Sequence, residues 1–466
     1  MTAAPTEEET EVTAGATPAP GAELGDERKG DGPDIAVVGG GWSGIAAAWR
    51  LHCAGASVTL YDEQEELGGR SAGVPVGPRT LTAGGKNIGR KYANFRAFTD
   101  ALGCGDFEFF GINSARSEGG KLRTIDSTRR FSSIFHLLRK LPARDVYRML
   151  RLVRAIRSRR ENSFCGGPDM VRIARKAGDP PLSEYFGRGI QEKLVRSLTV
   201  RMNGAEADEV HLECFGTHLG MVLDTFEQLS AGFDELFAGL AKQITVRSGT
   251  RVTGLTVDGG RVTGVVARER GGESVRTGHD AVVVALPGPA AAALLEPLSA
   301  RLAAELGGIS YFPAAVILAE YDRPVFGEQV RAVVQPADSP LSNAGAYGIN
   351  DRHIIRYTFS GRAYRAAHRE DDELLDLAEK QLAQHVDLDG INRVRAVTKR
   401  WEHAYVGYSR YHSSTIARID QELKPFEALA LTGDYLRGAS IEACFRAAYE
   451  RTDALLARLG TRSGGR

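Results

Sequence analysis

Three glycines, Gly39, Gly41 and Gly44, lie within Gly39-Gly40-Gly41-Trp42-Ser43-Gly44 at a spacing suited to holding a diphosphate. Gly39 permits a tight turn, Gly41 lets backbone N–H groups approach an anion, and Gly44 allows a helix to pack closely on the preceding strand. The helix N-terminus adds unpaired N–H groups and a favourable dipole, which brings Trp42 and Ser43 into the same cradle. Asp62 follows the first glycine by 23 residues, near the roughly 20 expected of a carboxylate that grips a ribose hydroxyl. Lys86 directly follows Gly84-Gly85, and Tyr405 and His412 lie in the aromatic stretch Trp401 to His412. A buried lysine can act as a base or hold an anionic oxygen, aromatic rings can confine an apolar substrate, and a histidine can titrate near neutrality.

The elements that must position these groups are legible around them. Ile35 to Val38 is a short continuous apolar run, as expected of a parallel strand buried on both faces. Ile45 to Cys53 reads as a helix and Ser57 to Tyr61 as a second strand ending at Asp62. Strand, glycine turn, helix, strand and acid together specify a dinucleotide site far better than the glycines alone. Further along, Asp258-Gly259-Gly260 signals a hairpin and Tyr311 to Tyr321 a strand, while residues 129–231 look largely helical. Alternation along Trp401 to His412 would put His403, Tyr405 and Tyr411 on one face and Tyr408 on the other.

Composition bounds the answer. The 466 residues are 42% hydrophobic and 25% charged, with 59 basic and 59 acidic side chains. A zero formal net charge supplies no field to gather DNA or RNA, so no nucleic acid partner is expected. Five cysteines without CxxC spacing signal neither a disulfide framework nor a metal site, and a reducing, cytoplasmic setting is the simplest inference. Residues 1–33, rich in Ala, Pro, Thr, Gly and Glu, read as a disordered tail. The apolar stretch Ala281 to Leu295 is interrupted by Pro287 and Pro289 and falls short of the ~18 residues of a spanning helix. Residues 129–160 carry eleven basic residues and one acid, Asp145. There Val146, Met149, Leu150, Val153 and Ile156 follow helical spacing beside a stripe of Arg144, Arg148, Arg151, Arg154 and Arg157. That segment reads as a solvated domain-surface helix, as a peripheral membrane contact, or as a surface attracting an acidic substrate or carrier protein.

Glu63-Gln64-Glu65-Glu66-Leu67-Gly68-Gly69-Arg70, directly after Asp62, resembles the E-A-x-x-R-x-G-G-R continuation of the FAD-dependent amine oxidase and phytoene desaturase superfamily. Gly232 to Leu236, Arg251 to Leu255, Asp280 to Pro287, and Leu431-Thr432-Gly433-Asp434 with Gly438 to Ala443 resemble further family segments in order. The resemblance implies FAD as cofactor, with Gly68, Gly69 and Arg70 along its diphosphate and ribityl portion and Val252 reading adenine through its backbone. It further implies Asp434, after Gly433, on ribityl hydroxyls, and the amide of Ile441, just before Glu442, near the pyrimidine ring. Thr82 to Ile88 resembles the strand beside the flavin, implicating Gly85 and Lys86. Two departures stand out: Ala443 to Ala448 replaces the usual A-x-x-S-G, and Val406 stands where proline is usual.

The implied fold class is α/β: a two-domain flavoprotein with a Rossmann-like FAD domain of the glutathione-reductase and amine-oxidase type and an interleaved substrate domain of mixed sheet and helices. Residues 34–100, 232–310 and 426–460 would form the FAD domain, 101–231 and 311–425 the substrate domain, and 461–466 a tail. The implied activity is that of an FAD-dependent oxidoreductase acting on a small lipophilic metabolite. Gly84 to Phe98 also resembles desaturase-like cyclases of polycyclic tetramate macrolactam biosynthesis, which form carbocycles from polyenes bearing an acidic enol. Two other readings stay open, a flavin amine oxidase and a lipid-binding module of the GDP-dissociation-inhibitor type. Oligomeric state is not legible.

Overall fold

The computed structural model describes residues 32–109, 114–118, 121–125, 141–328, 330–336, 338–367 and 369–463. A five-stranded parallel sheet runs in the order Thr245–Arg247, Ser57–Tyr61, Asp34–Val38, Ala281–Val284, Leu429–Leu431. Its strands therefore come from three separated stretches of chain, 34–61, 245–284 and 429–431. Ile35 to Val38 are at most 3% exposed because helices cover one face and a second apolar layer covers the other. Alternate residues divide accordingly: Ile35 and Val37 face Leu51 and Phe445, while Ala36 and Val38 face Leu295 and Leu306. The chain leaves the central strand Asp34–Val38 for one neighbour and returns later to the other. That switch point opens a crevice at the carboxyl ends of the strands. The helix Trp42–Cys53 starts immediately after Gly41, three residues before the apolar pattern places it.

A seven-stranded sheet, in the order Arg393–Gly407, Ser310–Tyr321, Ile354–Phe359, Leu341–Ala346, Ala332–Val334, Ser114–Glu118, Lys121–Ile125, forms the second layer system. Along Ser310–Tyr321, Ala315, Ile317 and Ala319 pack toward Leu374 and Ala378 of the helix Asp371–Leu382. Val316 and Leu318 instead pack on Val74, Val76, Leu81 and Ala83. The latter belong to or directly follow the hairpin Gly73–Val76 and Arg79–Thr82, from which the chain runs on into Gly84 to Lys86. Thr82 to Ile88 is therefore not one strand: Ala83 to Asn87 form a loop before the short strand Ile88–Gly89.

The helices Ala143–Ser158, Pro168–Ala177 and Phe215–Val222 cluster around Met149, Leu152, Met170 and Phe215. The strand Phe226–Leu229 interrupts this helical region and pairs with Ile88–Gly89 and Phe107–Phe109. At the hairpin between Thr250–Asp258 and Arg261–Glu269, Gly259 and Gly260 take φ of 55° and 83°, as a primed turn requires. The expected tail at 1–33 lies outside the described residues except for Gly32 and Pro33, and residues 129–140 of the basic segment lie outside them as well. The last helix, Ile441–Ser463, continues into the stretch expected to be a tail from 461. Among the described residues, no helix is long and apolar enough to cross a membrane.

Candidate active site

The glycine turn forms at the carboxyl end of Asp34–Val38. Gly39 adopts φ 107° and donates to Tyr61 O at 2.8 Å, so the loop is tied to the neighbouring strand. A Cβ on Gly44 would lie 1.7 Å from the Gly39 carbonyl oxygen, which explains the glycine by close approach of helix and turn. Gly41 differs: a Cβ there would meet nothing within 4 Å, since it faces open space in front of the helix N-terminus. No side chain caps that N-terminus and no acid lies in its first turn. An uncapped, glycine-faced helix start is a cradle for a diphosphate, and the residues present fit the FAD that the motifs imply.

The Trp42 side chain turns away into the core against Phe95, Phe233 and Phe237, so only its main chain faces the cradle. Ser43 and Gly44, both buried, continue the first turn. Asp62 stands at the end of the second strand. Its Oδ2 accepts from Gly40 N at 2.5 Å and its Oδ1 from Gln64 N at 2.7 Å. Burial raises its pKa while those two N–H groups oppose the rise. Gly68 donates to Gly40 O at 2.8 Å, and Gly68 and Gly69 take φ of 103° and 54°, which bends the following segment back over Gly41. Val252 sits at a bulge in the three-stranded sheet, its side chain packed with Tyr61 and Val38, and Thr250 N donates to Asp62 O at 2.7 Å.

Arg70 reaches across the crevice. Its Nη1 forms an ion pair with Asp434 Oδ2 at 2.8 Å and donates to Ala404 O at 2.8 Å. Burial works against the guanidinium charge, but the Asp434 carboxylate outweighs it and the net shift is upward. Asp434, 2% exposed, also accepts from Tyr311 OH at 2.7 Å, and Gly288 N donates to the same hydroxyl at 3.2 Å. Gly433 precedes it in extended backbone. Ile441 opens the last helix, where its neighbour Glu442 accepts from Asn94 N and Phe95 N and pairs with Arg160 at 2.7 Å. That carboxylate caps the helix Ala93–Ala101 and ties it to the cofactor side.

Lys86 is 8% exposed. Its Nζ donates to Gln228 Oε1 at 2.6 Å and lies 4.5 Å from the centroid of the Tyr347 ring. Gln228 in turn donates to Glu108. Burial first, and the Arg356 charge second, push the Lys86 ammonium down to about 7, against a smaller pull from Asp351 and Glu108. Arg356 braces the loop by donating to Ala83 O at 2.9 Å and Gly84 O at 3.2 Å. Behind the loop, Ser71 Oγ donates to Gly85 O at 2.7 Å and accepts from Trp42 Nε1 at 2.9 Å, joining the lysine loop to the glycine turn. Tyr405 lies half-buried opposite Phe312 in the neighbouring strand. Burial raises its pKa, and the nearby Arg356, Arg70 and Arg201 charges partly counter this.

Two expectations need correction. His412 does not face the crevice: it is 1% exposed, its Nε2 lies 2.7 Å from Tyr435 O, and its ring packs edge-on against Tyr408. A sealed ring of this kind reaches no substrate, so its part is to position the Asp434–Arg437 turn. Tyr411 does not share a strand face with Tyr405, because the strand ends at Gly407 and Tyr411 takes φ 52° as the residue before the next helix. Substituting His412 with Ala removes a buried hydrogen bond and should cost about 1–3 kcal/mol of stability. Calorimetry should show the lower Tm, while turnover per bound flavin stays unchanged; a selective loss of turnover would restore a catalytic role. Tyr311, Gln228, Tyr347 and Arg356 lie in no motif, and each reaches the site from a strand distant in sequence or, for Tyr347, from the residue just after one.

Comparison with known proteins places this geometry. The fold matches cyclohexylamine oxidase from Brevibacterium oxydans IH-35A with a TM-score of 0.70 at 18% identity, covering 92% of this chain and 100% of that one. It also matches wild-type putrescine oxidase bound to putrescine with a TM-score of 0.69 at 15% identity, covering 91% and 99%. A shorter alignment to carotenoid phi-ring synthase of Streptomyces griseus is 44% identical over 72 residues and spans only 14% of each protein. The flavin containing amine oxidoreductase family matches residues 42–456. The chain belongs to that family of flavin-dependent oxidoreductases, and the cofactor its glycine cradle fits is FAD.

Proposed function

We propose that the protein is an FAD-dependent oxidoreductase of the desaturase type that acts on a lipophilic, polyene- or polyketide-derived metabolite, with Lys86 taking a proton from the substrate. One observation supports this reading: a buried lysine at about 7, on a loop that Arg356 braces and that Ser71 ties to Trp42 at the glycine turn. Bound FAD supplies the hydride acceptor. Desaturation removes a hydride and a proton from adjacent carbons; the two electrons leave with the hydride, and the proton goes to the neutral Lys86 Nζ. An amine near neutral pKa suits that task at physiological pH. Tyr405 and Tyr347 offer ring faces against which a conjugated chain can lie. Arg70 and Asp434 hold the crevice wall.

The similarity of Gly84 to Phe98 to desaturase-like cyclases supports a polyene bearing an acidic enol, with ring closure coupled to the redox step. The partial likeness to carotenoid phi-ring synthase supports a polyene class as well. Amine oxidation is the second reading, since the chain belongs to the flavin containing amine oxidoreductase family. Anaerobic mixing separates the two: a polyene tetramate should bleach the flavin absorbance, and a primary alkylamine should leave it unchanged. Bleaching by the amine alone, with peroxide formed on admitting oxygen, would overturn this reading.

A further inference from the structure

We propose that the outer face of the helix Ala143–Ser158 is a docking surface for an anionic lipid bilayer. The helix turns Met149, Leu152, Ala155 and Ile156 inward. Asp145, the acid of its first turn, is withdrawn from the outer face: it is 3% exposed and accepts from Gly187 N. Arg148 also turns inward, over the Tyr185 ring and onto the Tyr185 carbonyl. What remains outside is Arg144, Tyr147, Leu150, Arg151, Arg154 and Arg157. None of these four arginines forms an ion pair with an acid among the described residues. The next two, Arg159 and Arg160, do pair, with Asp169 and Glu442.

Tyr147 and Leu150 lie one turn apart and are 68% and 54% exposed, two of the most exposed large apolar side chains among the described residues. They interleave with cations that have no acid partner among the described residues. A bilayer surface takes both: the arginines meet lipid phosphates while the ring and the leucine enter the headgroup–acyl boundary. The patch arises although the whole chain is balanced at 59 basic and 59 acidic residues, so the attraction is local to this face. This inference is independent of the chemistry assigned to Lys86.

The test is sedimentation of the FAD-loaded full chain with sucrose-filled vesicles. Vesicles containing phosphatidylglycerol should carry the protein down, and phosphatidylcholine vesicles should not; added salt should release it. The triple change Arg144→Glu, Arg151→Glu and Arg154→Glu should weaken partitioning at least about 100-fold, from roughly fivefold per arginine lost. The double change Tyr147→Ser and Leu150→Ser leaves charge untouched and should weaken it about tenfold. Circular dichroism and flavin content establish that each variant is folded. Absence of binding to phosphatidylglycerol vesicles overturns the proposal, as does binding that survives the triple change. Loss on charge reversal with no effect of the Tyr147 and Leu150 change, together with equal binding to heparin, overturns it in favour of a general polyanion surface.

Discussion

Replacing Lys86 by Met lowers the rate of flavin reduction by about 10²- to 10⁴-fold, the range typical of a lost general base. In the unaltered protein that rate rises as pH increases through about 7, because only the neutral amine accepts a proton and burial with Arg356 sets that value. The variant loses this pH dependence along with the rate. A rate that instead falls as pH rises through 7 would show that the ammonium form is the active one, holding an anionic substrate oxygen. Single-turnover mixing across pH 5 to 9 reads the outcome directly.

The same substitution carries a stability prediction of opposite sign. In the unfolded chain the lysine keeps its proton up to about 10.5, and in the folded protein only up to about 7. Between those values the unfolded state binds more protons, so stability rises with pH across that window and is lowest below it. At pH 8 the buried amine costs about 3 kcal/mol relative to an unperturbed lysine. Lys86→Met removes that cost, so the variant should melt several degrees higher at pH 8 and show a flatter Tm between pH 7 and 10. An inactive but more stable protein is the signature of a functional group held in an unfavourable place.

The second large effect concerns the cradle, where two alanine substitutions three residues apart should behave differently. Gly44→Ala forces a Cβ to 1.7 Å from Gly39 O, a backbone clash that no side-chain rotation relieves. The turn must shift, and we expect a cost of about 3 kcal/mol or more, with loss of both fold stability and FAD. Gly41→Ala meets nothing within 4 Å and keeps an ordinary negative φ of −75°. FAD-free protein should therefore keep its stability within about 0.5 kcal/mol. Its FAD affinity should still fall, by about tenfold or more, because the methyl occupies the space through which the diphosphate approaches the helix N–H groups. Titration of FAD-free protein followed by calorimetry checks both; unchanged FAD affinity in Gly41→Ala would mean that the diphosphate lies elsewhere.

The cradle was legible in the chain because it is built almost entirely from neighbours. Gly39, Gly41, Gly44 and Asp62 lie on one strand–helix–strand unit, and burial of both faces of Asp34–Val38 leaves little freedom in how that unit folds. The surroundings of Lys86 were not legible. Gln228 is 142 residues from it in sequence, and Arg356 is 272 from the Gly84 carbonyl it braces. Only pairing of Ile88–Gly89 with Phe226–Leu229 and packing of the Gly73–Thr82 hairpin on Ser310–Tyr321 bring them together.

His412 shows the limit from the other side: one histidine after an aromatic strand reads alike whether it faces a cavity or the core. Helical periodicity likewise put Arg148 in the outer stripe and Leu150 on the apolar one, and packing against Tyr185 exchanged them. The sequence alone thus determined a dinucleotide cradle, since a diphosphate is gripped by consecutive backbone N–H groups, and the resemblance of Glu63 to Arg70 to the flavoprotein pattern implied FAD. Tertiary structure decided the protonation of Lys86 and the exposed face of Ala143–Ser158, because burial and charge at a point depend on whatever distant segments pack around it.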